Sequence, residues 1–125
     1  MIDYNNLDQI KLMNTVGANM KLADLCPGKN LKRLSEIVDG QDSKKSFETM
    51  MDIIVICNEA AEEFEKRKNN DYEMQVVTKE ELMYLTEEQL GDLCLRAFGK
   101  IKEDAKTSIE IEPIKNDEAE EVEST

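Results

Sequence analysis

Histidine is absent from this chain of 125 residues, and so is tryptophan. Without histidine there is no Ser-His or Cys-His nucleophile, and the common zinc sites lose their usual nitrogen ligand. Carboxylate chemistry, lysine chemistry and magnesium sites stay open. Cysteine is scarce: Cys26, Cys57 and Cys94 stand far apart, in no CxxC pair. An odd and scattered set is a poor disulfide framework. Cys57 and Cys94 fall on apolar helical faces, where a reduced thiol behaves as a small hydrophobe, and no nearby base marks either as a nucleophile. Long hydrophobic runs are missing too. Nothing nears the roughly 18 consecutive apolar residues of a spanning helix, and the start IDYNNLDQIK lacks a signal-peptide layout. Neither a membrane partner nor export is expected, and the expected location is cytoplasmic.

Positive charge is also in short supply, with 16 bases against 28 acids and a net charge of −12. Nucleic acid presents a phosphate backbone that demands a basic face, so it is not an expected partner. Residues 116–125 hold five acids and no base and account for −5 of that charge. Their one large aliphatic, Val122, cannot offset the entropy of ordering, so a disordered acidic tail over 114–125 is expected after a helical domain over 1–113.

What the chain does have is helix. Pro27-Gly28 ends a first region read as a helix near Leu7–Val16, with a bend at Gly17 before Met20–Cys26. Asn30 is an N-cap candidate for Leu31–Val38, stopped by Asp39-Gly40. Asp42 or Ser43 opens a long helix to about Lys68, ended by Asn69-Asn70-Asp71. Tyr72–Val77 reads as a short strand or an extended linker. Two capping boxes follow, Thr78…Glu81 before Lys79–Tyr84 and Thr86…Gln89 before Glu87–Ala105. The second helix carries the stripe Leu90, Leu93, Cys94, Ala97, Phe98, Ile101 and Ala105, after which Ile109–Ile111 alternates like a brief strand. The fold class is therefore all-α, a compact bundle of about five helices around a central helix near 43–68.

That central helix is unusual. At about 100° per residue, the apolar residues of Phe47–Phe64 cover an arc of about 260°, where a surface helix needs little more than about 100°. The remaining strip carries Glu48, Asp52, Glu59 and Glu63, with Asn58 and Glu62 intruding nearer the apolar side. The four acids read as one solvated face, since a metal cage draws ligands from several elements. Asp39–Glu48 fails as a calcium loop because Lys44 stands where the turn glycine belongs. Gly28-Lys29 fails as a phosphate loop because Ala23 replaces the first glycine and Asn30 the hydroxyl. No catalytic constellation emerges; neither an enzyme nor a cofactor is expected. The surplus of apolar arc, with Met50 and Met51 adjacent on it, points instead to a shared surface. Its candidate partner-binding residues are Met50, Met51, Ile53, Ile56 and Ala60.

Three stretches, KNLKRLSEIVDG, FETMMDIIVICNEAAEEFEK and TKEELMYLTEEQLGDLCLRAF followed by SIEIEPIKN, resemble the tail assembly chaperones of phages and prophages of Gram-positive bacteria. The resemblance implies a small, acidic, helical, non-enzymatic protein. It would bind the tape measure protein, help recruit the major tail protein during tail tube assembly, and act in the host cytoplasm. Self-association is also among its implications. The competing expectation is a small acidic protein that inhibits a nucleic-acid enzyme or regulator by charge mimicry.

Overall fold

The computed structural model describes residues 2–39 and 42–111, with side chains as far as Lys100. Five α-helices run in the order α1 Val16–Leu25, α2 Leu34–Asp39, α3 Ser43–Lys68, α4 Lys79–Leu82 and α5 Glu87–Ile111, and no strand occurs among the described residues. The fold is all-α. The acidic stretch 114–125, and the domain boundary expected at 113, lie outside the described residues.

Local chemistry sets most of these boundaries. The Asp42 carboxylate accepts the Lys45 N–H and opens α3, while Lys66, Arg67 and Lys68 sit in its last turn against the negative end of the helix dipole. Both capping boxes form. The Thr78 hydroxyl accepts from Glu81 N–H as the Glu81 carboxylate accepts from Thr78 N–H, and Thr86 and Gln89 repeat the exchange at the start of α5. Asn30 caps a single 3-10 turn, Leu31–Arg33, that leads into α2. At the preceding turn Gly28 has φ +63°, the left-handed region that glycine enters without strain, and Lys29 follows it at φ +56°.

The first region departs from expectation. Leu7–Gln9 makes only one 3-10 turn, and α1 begins at Val16, so Gly17 lies inside a helix rather than at a bend. Thr15 decides this by accepting the Ala18 N–H as an N-cap. Before it, Ile10, Leu12 and Asn14 are buried in alternation, the period of extended chain. Ile109–Ile111 also differs, because α5 continues through it instead of giving way to a strand. Tyr72–Val77 is extended linker.

α3 is the axis of the bundle, with α1, α2, α4 and α5 all packed against it. Leu22, Ile53, Ile54, Cys57, Leu82 and Leu93 are fully buried along the seams. Each such aliphatic side chain contributes about 1.5–3 kcal/mol of transfer free energy.

Of the polar residues buried in this core, Asn58 and Glu62 stand one turn apart on α3. Asn58 donates to the Lys11 carbonyl at 2.9 Å and accepts the Val77 N–H at 2.8 Å. Glu62 accepts the Tyr72 hydroxyl and the Gln75 N–H, both at 2.8 Å. The hydrogen bond to Glu62 is the largest of the influences raising the Tyr72 pKa, so the phenol keeps its proton. Two segments with no ladder of their own are thereby fixed to a helix by side chains. Asn58→Ala would strand the Val77 N–H and the Lys11 carbonyl in the core. A loss of about 2–4 kcal/mol is expected, read as a lower urea midpoint at unchanged m value.

Candidate partner-binding surface

The five candidate residues on α3 do not share a surface. Ile53 is 0% exposed and Met51 7%, so both belong to the core of the single chain and are corrected here as docking residues. The arc that looked too wide is covered from several sides: α1, α2, α4 and α5 each shield a part of it. Met50, Ile56 and Ala60 are half-buried, and they mark places where that cover is incomplete.

Three grooves open along the flanks of α3. Between α1 and α3, Gly17, Ala18, Ile56, Ala60 and Phe64 line a groove of about 360 Å³. The Lys21–Glu59 ion pair at 2.9 Å stands among its lining residues. Phe64 is 42% exposed, with the Lys68 ammonium 5.0 Å from its ring centroid. Where the first turns of α3 meet α4 and α5, Phe47, Met51, Leu82, Met83, Leu85 and Leu90 line a second groove of about 410 Å³. Between α2, α3 and α5, Leu31, Leu34, Val38, Met50, Leu95 and Phe98 line a third of about 610 Å³, in which Leu95 is 69% exposed.

Exposed apolar side chains thus occur in separate grooves along α3 and also outside them, at Val16, Met20 and Tyr84. Ile56 and Ala60, on the flank of the apolar arc, are half-buried, and so is Met50 nearer its centre. Sequence periodicity missed Met83, Leu95 and Phe64 as exposed apolar residues. Met83 follows the short α4, and Leu95 lies one position beyond the buried Leu93-Cys94 pair, so the α5 stripe itself carried that signal.

Charge at these grooves is mixed. Lys44, Glu48, Lys79 and Glu87 line the second groove, and Lys79 is already paired with Asp52 at 3.0 Å. Exposed pairs of this kind add little stability, about 0–1 kcal/mol. Among the described residues no three potential metal-ligating side chains come together, and no helix is long and apolar enough to cross a membrane. All three cysteines are free and buried. Burial pushes the Cys57 thiol up to about 11, and burial together with the nearby Cys57 pushes Cys94 up to about 12. Neither thiol forms a nucleophilic thiolate near neutral pH.

No family model, curated protein or solved structure matches this chain. Its function must be read from the grooves themselves.

Two outcomes follow from these placements. Ile53→Ala is expected to destabilise the fold by about 2–5 kcal/mol through a core cavity, whereas Ile56→Ala costs less because Ile56 is part-exposed; thermal unfolding of the two variants checks the order. The thiols hold their protons to higher pH in the native state than in the unfolded chain, where they ionise near 9. The stability they contribute below about pH 9 is therefore lost as pH rises through 11, by about 1.4 kcal/mol per thiol per pH unit. Urea titrations between pH 8 and 11 read this loss, and replacing both cysteines with alanine should flatten it.

Proposed function

We propose that this chain is a non-enzymatic assembly chaperone of the phage tail type, which binds apolar helical segments of a tape measure protein during tail tube assembly. The observation that carries the reading is the set of three apolar grooves along α3, open on a small acidic helical bundle. A groove between two helices offers an amphipathic client helix the i, i+3, i+4, i+7 contacts of helix-in-groove recognition. Several grooves rather than one suit a client with many similar apolar segments. Each site can be modest in affinity while the whole client is held by multivalency.

The methionines fit the same role. Met83 lines the second groove and Met50 the third. A thioether side chain rotates and polarises readily, so it adapts to differing client side chains. The net charge of −12 keeps client-bound complexes apart in solution. Recruitment of the major tail protein, and action in the host cytoplasm, belong to the same proposal.

Isothermal titration of the chain with soluble helical fragments of a tape measure protein tests this reading. Phe64→Ser in the first groove and Leu95→Ser in the third are both at exposed positions and should leave the helical circular dichroism unchanged. Each is expected to weaken binding about tenfold, the cost of one lost apolar anchor. Affinity should change little between low and high salt, because apolar contacts are not screened. Binding that is absent, or equal in wild type and both variants, would overturn the proposal.

A further inference from the structure

Two glycines stand inside α5 where nothing in the single chain requires them. Gly91 and Gly99 lie within the helix, and a Cβ built at either would meet no neighbouring atom within 4 Å. Neither has a positive φ. Glycine weakens a helix interior relative to alanine, because it has the most backbone freedom to lose. What a missing side chain still offers at such a position is room for a second backbone to come close from outside.

Leu95 stands midway between the two glycines and is 69% exposed. At about 100° per residue, positions 88, 91, 95, 99 and 102 share an arc of about 80°, outside the buried stripe of Leu90, Leu93, Cys94 and Ala97. From either end the spacing is the same: three, four, four and three residues. Glycine mirrors glycine around Leu95, while the outermost positions, Glu88 and Lys102, carry opposite charges. Such a face fits itself when turned end for end. An antiparallel α5 from another copy sets Gly91 against Gly99 and Leu95 beside Leu95. It also sets position 88 against position 102, so unlike charges meet twice. A parallel pair would bring like charges together at both ends.

We propose that this chain forms a two-fold dimer through the outer face of α5, with the two helices antiparallel and crossing at Leu95. The interface is isologous, the same patch serving both copies. The glycines let the axes approach to about 8 Å, the short end of the range for packed helices. Each Leu95 then fills the hollow over a glycine of the other copy, as a knob in a hole. Val38 and Phe98, half-buried in the third groove, extend the apolar contact on one side. Leu95 lines that groove as well, so a second copy and a client helix compete for it.

The test uses the full chain without client, so its failure and the failure of client binding are separate results. Sedimentation velocity over a wide concentration range should show a monomer passing to a dimer. The paired change Gly91→Ala and Gly99→Ala adds methyl groups that meet nothing inside the chain. It is expected to hold or raise the melting temperature of the dilute monomer while weakening the dimer about tenfold, the scale of overpacking a close contact. Glu88→Lys and Lys102→Glu should each weaken the dimer about tenfold by setting like charges together at both ends. The double variant carrying both should restore it, because the exchanged charges again meet unlike partners. A chain that stays monomeric at every concentration, a dimer unmoved by the glycine pair, or a double charge variant no tighter than the single ones would each overturn the proposal.

Discussion

The structure depends on a polar pair set into an apolar helix face. Asn58 and Glu62 stand one turn apart on α3 and serve segments that make no ladder of their own, the chain around Lys11 and the linker Tyr72–Val77. Backbone groups taken out of water must find partners, and in an all-α protein the connecting segments have no neighbouring strand to supply them. These two side chains take that role. Their burial would be unfavourable alone, and it is offset because the hydrogen bonds described above satisfy the Asn58 amide at both ends and give Glu62 two donors. The same pair lets two extended segments lie flat on the central helix and complete its cover.

How much of this was visible in the amino-acid sequence depended on how local the governing interaction was. The limits of α3 and the starts of α4 and α5 follow from Asp42, Thr78 and Thr86, each acting within three residues of itself. Asn58 and Glu62 were visible as polar intrusions on the apolar side, but their partners lie 10 to 47 residues away, so their purpose was not. The first region failed for a related reason. Its spacing of apolar residues tolerates a helix, whereas the alternation Ile10, Leu12, Asn14 with Thr15 as a cap describes extended chain followed by a helix start. Tertiary bonds from Arg96 and Asn58 select the second arrangement.

The candidate surface was half legible for the same cause. Periodicity identifies which residues of α3 are apolar, and it locates the edges of the arc. It does not say how many neighbours share the burial. Four helices around α3 account for Met51 and Ile53, and their imperfect meeting leaves Ile56, Ala60 and Met50 in separate grooves. A wide apolar arc is thus a statement about the number of neighbours before it is one about partners. What distinguishes the two is the set of exposed apolar residues on the covering elements, among them Val16, Met20 and Leu95.

Residues 2–13 bond through Ile2 and Tyr4 to Glu81, through the Leu7 and Ile10 carbonyls to Arg96, and through Lys11 and Met13 to Asn58 and Cys57, which has a consequence for the order in which the chain is made and folded. Synthesis runs from the N-terminus, so this segment is made before Cys57, Asn58, Glu81 and Arg96, the residues that seat it, have been added. Its contact with Arg96 spans 86 to 89 positions, and closing so long a loop is slow compared with forming α3 around its own local bonds. A segment translated before its seat is therefore placed after it. Until then Ile2, Ile10 and Leu12, buried in the finished fold, travel unsheltered.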